Sequence, residues 1–320
     1  MSTLADPTRS WAVLIGAPHY KTLPEIPAVE QNLLTLRRLM TDPTVWGLPI
    51  EQCLIPQVTG VPDPLESVMT ALRTAADAAT DTLFVYYAGH GLSDPLSDRL
   101  VLALPGGESM QFSYKALAYE QIRSALVNPA LGISRRIVVL DCCYSALALD
   151  GEMGGDRRAG TALVDSAEVS GAYVLTACAE TSVAMAPVGE TYTAFTGELV
   201  DLLEYGIADG PELLDMSTLY RELQTRLVAR KLPEPQQRSR NLAGDLAIAC
   251  NRAYESPRPA VQRAETAMRI LRRSGDYQGA AQVLNGQGNA LDADALRRRI
   301  RVLRRAHRHA EAAALLRLLA

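Results

Sequence analysis

Two strand-like runs in this sequence end in side chains able to make and break covalent bonds. The first, Thr82-Leu83-Phe84-Val85-Tyr86-Tyr87-Ala88-Gly89-His90-Gly91, delivers an imidazole between two glycines. The second, Arg136-Ile137-Val138-Val139-Leu140-Asp141-Cys142-Cys143-Tyr144-Ser145-Ala146, delivers a pair of thiols. A thiol is an effective nucleophile only as thiolate, and a neighbouring base or imidazolium holds it in that form. His90 and Cys143 stand 53 positions apart, so the fold has to unite them. Parallel strands can do so, because the carboxyl ends of an open parallel sheet share one crevice. Gly91 lets the backbone approach a substrate closely, and its N–H together with that of Cys143 would give two donors for the oxyanion of a tetrahedral intermediate. The chemistry such a group suits is acyl transfer through a thioester.

The elements that must position these groups are legible in the hydrophobic periodicity. Over the first 250 residues short apolar runs alternate with longer helical stretches, the pattern of an α/β domain with a mainly parallel sheet. The expected strands are Trp11–Ala17, Cys53–Pro56, Thr82–Tyr87, Arg136–Leu140, Ala172–Ala177 and Asp245–Ala249. Several are apolar throughout, as strands covered by helices on both faces must be. Val29, Leu33, Leu36 and Met40 recur at three to four residues and predict a helix over Ala28–Met40 with one buried face. Pro64–Ala79, Phe195–Tyr205 and Ser217–Arg230 read as helices by the same test, with Asp63 and Ser217 as N-caps. The Gly-rich stretch Ala148–Ser170 and the polar stretch Lys231–Arg240 read as loops. Pro257 and Pro259 mark a boundary, after which Ala, Leu and Arg dominate and three or four short helices are expected.

The two motifs, YYAGHG and LDCCYSA, in this order and at this spacing, resemble those of the caspase-like cysteine peptidases, the group of caspases, metacaspases and bacterial CHAT-type proteases. Agreement extends to Leu14-Ile15-Gly16, Pro27-Ala28-Val29, Val174-Leu175-Thr176-Ala177-Cys178 and Ala194-Phe195-Thr196, over roughly residues 10–252. The resemblance implies a caspase-like three-layer sandwich over residues 1–256, with 148–170 as an intersubunit linker, and a small all-α domain over 257–320. It implies Cys143 as nucleophile, third in the Asp-x-Cys-x-Ser run, with Cys142 a neighbour without catalytic role, and His90 as general acid/base. Asp141 falls where metacaspases and many bacterial relatives face the P1 pocket and select Arg or Lys; a carboxylate there attracts a guanidinium or ammonium and repels an acid. A second pocket acid is usual in the first helix, and Gln31 stands at the expected place; Ala146 replaces a usual glycine. Arg157 and Arg158 in the linker are candidates for self-cleavage. Bacterial relatives with a helical appendage look like effectors of defence or regulated death, recruited through it to a sensor or companion protein.

Composition sets the remaining limits. With 320 residues, 48% hydrophobic and 21% charged, the chain can bury a core, which excludes general disorder. The sequence holds no apolar run long enough for a membrane span and no leader pattern, so no membrane partner and a cytoplasmic location are expected. Five cysteines, odd in number and in apolar surroundings, read as reduced thiols, with no structural zinc, no other metal site and no cofactor expected. Cys53, Cys178 and Cys250 read as structural, His307 and His309 as solvated, and His19 as a surface or hydrogen-bonded residue. Residues 257–320 carry 13 Arg against 5 acidic residues. Arginine interleaved with Ala and Leu at helical spacing reads as the wet face of a bundle or a protein-binding surface rather than a nucleic-acid site. The expected function is therefore a cysteine endopeptidase acting on protein or peptide substrates. The alternative is a catalytically silent caspase-fold adaptor that recruits partners through its C-terminal helices.

Overall fold

The computed structural model describes residues 3–93, 100–107, 115–127, 132–143, 172–177, 189–239 and 246–254. In chain order the strands are β1 (Thr3–Leu4), β2 (Trp11–Gly16), β3 (Cys53–Leu54), β4 (Thr82–Ser93), β5 (Leu100–Leu102), β6 (Leu117–Ala118), β7 (Arg135–Cys143), β8 (Ala172–Thr176), β9 (Leu213–Asp215), β10 (Gln236–Ser239) and β11 (Leu246–Cys250). The helices are α1 (Ala28–Thr41), α2 (Pro64–Ala78), α3 (Tyr119–Val127), α4 (Ala194–Tyr205) and α5 (Met216–Ala229).

The main sheet runs β10-β8-β7-β4-β2-β3. All its neighbours are parallel except β10, which pairs antiparallel with β8. Parallel strands need crossovers, and the helices these supply cover both faces. On one face Phe84, Tyr86, Val139 and Leu175 pack with Val29 and Leu36 of α1, Phe195 and Leu199 of α4, and Leu219 and Leu223 of α5. On the other, Val85, Tyr87, Val138, Leu140 and Val174 pack with Val68 and Leu72 of α2 and Ile122 and Leu126 of α3. The strands alternate between two buried clusters, which is why they read as unbroken apolar runs. This is the expected α/β sandwich with a mainly parallel sheet. The close seat of α1 depends on Gly16, where an added Cβ would fall 2.6 Å from Leu33 Cδ1 and 2.7 Å from Val29 Cγ1.

Several elements depart from the sequence expectation. Asp245–Ala249 was expected in the main sheet; β11 instead lies in a small separate sheet between β1, parallel to it, and β9, antiparallel. Apolar length identifies a strand but not its neighbour. The polar stretch Lys231–Arg240, read as a loop, contains β10; an edge strand need not be apolar, so periodicity missed it. The N-cap of α5 is Asp215, which accepts from the Thr218 N–H, rather than Ser217; Asp63 caps α2 as expected, accepting from the Glu66 N–H. The region 257–320, expected to be helical, and the stretch Ala148–Ser170, with Arg157 and Arg158, lie outside the described residues.

Candidate active site

β4 and β7 pair without interruption from Thr82↔Arg135 to His90↔Cys143. Neighbouring strands lie about 4.8 Å apart, so two positions 53 residues apart in sequence end on one rung of the ladder. The sequence reading stopped these strands at Tyr87 and Leu140. The structure carries them through Gly-His-Gly and Asp-Cys-Cys, because each extension is the other's hydrogen-bonding partner. Cys142 is 1% exposed, in the cluster with Tyr87, Val138 and Leu140 on the α2–α3 face, where it packs as a small hydrophobe.

His90 is half-buried and held on three sides. Its Nε2 lies 2.8 Å from the Pro24 carbonyl oxygen. A carbonyl can only accept, so Nε2 carries the hydrogen and Nδ1 keeps the lone pair that a base needs. The His90 N–H donates to the Tyr20 hydroxyl at 3.1 Å, and the two rings meet edge to face with centroids 4.9 Å apart. The His90 carbonyl accepts from Ala103 N–H at 2.9 Å, and the Tyr87 hydroxyl lies 2.9 Å from it. Burial pushes the imidazole below its ordinary pKa of 6.5, opposed in part by the Pro24 carbonyl, so the ring is neutral at neutral pH. Gly91 opens the antiparallel pairing with β5 opposite Leu102. Because His90 accepts from Ala103 across that pair, ladder alternation turns the Gly91 N–H away from β5, to the side of β4 that carries β7.

Asp141 is 3% exposed and faces a cage of hydroxyls. Its Oδ2 accepts from Thr196 Oγ1 at 2.6 Å, from Thr193 Oγ1 and, at 3.4 Å, from Tyr86. Among the described residues no hydrogen bond falls on Oδ1 and no Lys or Arg pairs with this carboxylate. Burial raises its pKa above 3.8, and the three hydroxyls oppose that rise only in part. The cage continues into α1: Asn32 Nδ2 donates to Thr193 Oγ1 at 2.8 Å and to the Tyr86 hydroxyl at 3.1 Å. It is thus Asn32, fully buried, that α1 contributes next to Asp141, whereas Gln31, expected there from the sequence, is exposed. A helix turns 100° per residue, so an offset of one position decides which side chain faces inward.

The family model described as the caspase domain matches residues 9–246. The chain belongs to the caspase family. As a caspase-domain protein it falls among the cysteine-type endopeptidases, which act on protein substrates. Similar solved structures include caspase-1 from Spodoptera frugiperda, at 12% identity and a TM-score of 0.49, covering 80% of this chain and 94% of that one. Another is the structure titled pro-sf-caspase-1, at 12% identity and a TM-score of 0.45, covering 78% and 93%. No curated protein matches the chain.

The caspase-domain site also contains residues that the motifs did not flag. Tyr20 and Pro24 come from the loop between β2 and α1, Asn32 from α1, Thr193 from the N-cap position of α4 and Thr196 from α4 itself; only Thr196 falls in a stretch quoted for the resemblance, and only the fold brings them together. His19, beside Tyr20, is exposed, with Nδ1 3.4 Å from Glu25. Among the described residues no group of three His, Cys, Asp or Glu side chains is placed to hold a metal ion, and no helix is long and apolar enough to cross a membrane. Tyr144, Ser145, Ala146 and Cys178 lie outside the described residues.

Proposed function

We propose that this caspase-family chain is an endopeptidase whose reaction is carried by a His90–Cys143 dyad. The observation that supports it is the pairing of those two positions on the last rung shared by β4 and β7. His90 Nδ1 takes the thiol proton and the Cys143 sulfur attacks the scissile carbonyl carbon. The resulting oxyanion is held by the Gly91 and Cys143 N–H groups. The C–N bond then breaks as the imidazolium returns its proton to the leaving amine. Water, deprotonated by the same nitrogen, hydrolyses the thioester and releases the thiol.

Cleavage after Arg or Lys belongs to the same proposal. Asp141 is a buried carboxylate with one oxygen saturated by hydroxyls and, among the described residues, no cation beside the other. Such a group is complementary to a basic P1 side chain and repels an acidic one. Self-cleavage at Arg157 or Arg158 follows from that specificity. The Arg-rich region 257–320 is assigned as a helical domain that recruits a sensor or companion protein, with the enzyme serving as a regulated effector in bacterial defence or cell death. Its five cysteines suit a reducing cytoplasm.

Fluorogenic peptides differing only in P1, with Arg, Lys or Asp, test this directly. Turnover of the basic substrates by the full chain and none by Cys143→Ala is expected. Equal turnover by both would reject Cys143 as the nucleophile, and none by either under any activating condition would favour the silent adaptor.

A further inference from the structure

The loop between β2 and α1 supplies two contacts to His90, and only one of them reaches an imidazole nitrogen. The other comes from Tyr20, 9% exposed and packed within the core cluster that carries α1. Its hydroxyl accepts the His90 N–H at 3.1 Å, while its ring stands edge to face with the imidazole at 4.9 Å and an interplanar angle of 61°. One side chain therefore fixes both the backbone and the ring of the histidine. The loop that carries it is closed on itself by the Ile26 N–H donating to the Pro18 carbonyl at 2.8 Å, and tied to β4 by the Ala17 N–H donating to the Ala88 carbonyl at 3.1 Å.

The backbone beside His90 is shaped around this contact. Gly89 has φ of +154°, where an L side chain is rarely found, and a Cβ built on it would fall 2.6 Å from the Tyr20 hydroxyl and 2.5 Å from that of Tyr87. The two phenols thus converge under a residue that has no side chain. Tyr87 approaches the His90 and Ala103 carbonyls, each at 2.9 Å, and Tyr20 takes the His90 N–H. Both backbone groups of His90 are engaged by buried hydroxyls whose own positions are set by core packing.

We propose that Tyr20 is a positioning residue for His90: its hydroxyl sets where the histidine backbone sits on the β4–β7 rung, and its ring fixes the imidazole plane and keeps water from that face. Tyr20 takes no proton in the reaction. The assignment rests on the peptidase reading for its kinetic consequence, but the effect on the imidazole itself does not.

Two variants separate the two parts of Tyr20. Tyr20→Phe keeps the ring and removes the acceptor, leaving a half-buried N–H unpaired; kcat should fall roughly tenfold, as the loss of one hydrogen bond implies, with KM within about twofold. Tyr20→Leu removes the ring as well; kcat should fall roughly a hundredfold, and water reaching the imidazole should raise the His90 pKa toward 6.5. The acid limb of kcat/KM then moves to higher pH in Tyr20→Leu and stays put in Tyr20→Phe. The same shift is read without substrate by NMR titration of the full-length protein, the His90 signal among four histidines being found by its loss in His90→Gln.

A purely structural tyrosine would lower the melting temperature and leave kcat and the titration unchanged, which would overturn the proposal. If Tyr20→Leu does not fold, the kcat of Tyr20→Phe decides. If the wild-type chain cleaves no peptide, the peptidase reading fails on its own, and coincident His90 titrations in wild type and Tyr20→Leu would separately reject the role given to Tyr20.

Discussion

His90 Nε2 donates to the backbone carbonyl of Pro24 across 2.8 Å. A main-chain oxygen cannot be protonated or swing away, so it fixes the tautomer more rigidly than a side-chain partner would. The polarity that results, hydrogen on Nε2 and lone pair on Nδ1, is the one a general base requires. Burial lowers the imidazole pKa below 6.5 at the same time, so the ring is neutral at neutral pH.

The pH profile follows from that shift. His90 must be neutral to accept the thiol proton, so the acid limb of kcat/KM should have its midpoint below 6.5, the ordinary value. Stability moves the same way: the unfolded chain protonates first as pH falls through 6.5, so the contribution of neutral His90 is present above that value and is lost below it. A midpoint at or above 6.5 in the kinetics would contradict the buried setting of the ring.

Asp141→Asn should behave oppositely on stability and on turnover. The folded-state pKa of Asp141 lies above 3.8, so the folded protein holds that proton more tightly than the unfolded chain does, and this group destabilises the fold as pH rises through that range. The amide removes the buried charge while its oxygen can still accept from Thr193 and Thr196. The melting temperature of Asp141→Asn relative to wild type should therefore climb between acid and neutral pH, while cleavage after Arg and Lys is lost. A melting difference that is flat with pH would remove the account of the burial.

Gly89→Ala should damage the site without touching a reacting group. The Cβ would lie 2.5 and 2.6 Å from the Tyr87 and Tyr20 hydroxyls, on a backbone at φ +154°. Overpacking and strain together put the cost at about 2 to 4 kcal/mol. Thermal or urea denaturation measures it, and a change under about 0.5 kcal/mol, typical of an open surface site, would show that the hydroxyls can move apart.

Asn32→Ala tests the cage from the α1 side. The amide donates to both Tyr86 and Thr193, and its loss leaves two buried oxygens short of a partner. A destabilisation of about 1 to 3 kcal/mol is expected. Because Thr193 is one of the Asp141 donors, the variant should also weaken discrimination between Arg and Asp at P1, read from the ratio of kcat/KM values.

The sequence carried more of the framework than of the site. α1, α2, β2 and β8 lie within a residue or two of their periodic patterns, because each buries one face or both against the two core clusters that flank the sheet. The meeting of the ends of β4 and β7 was legible because two reactive groups closed two apolar runs. What escaped was everything that depends on a partner brought from afar. Tyr20 and Pro24 sit in a loop without periodicity, and their relation to His90 exists only once β2 and β4 are neighbours. Asn32 and Gln31 are indistinguishable as polar residues in a helix until the helix is seated. The choice between Cys142 and Cys143 rests on the resemblance; what the structure adds is that Cys142 is seated in the α2–α3 core.

The central claim is that His90 and Cys143 act as one chemical unit, and the rate at which Cys143 is alkylated, followed against pH in the full chain with fragmentation that distinguishes it from Cys142, tests it most directly. Paired with His90, Cys143 should react with iodoacetamide at pH 6 to 7 at least about ten times faster than in His90→Gln, where it should follow an ordinary thiol with a pKa near ~8.5. Superimposable profiles for the two proteins, both rising only near ~8.5, would contradict it.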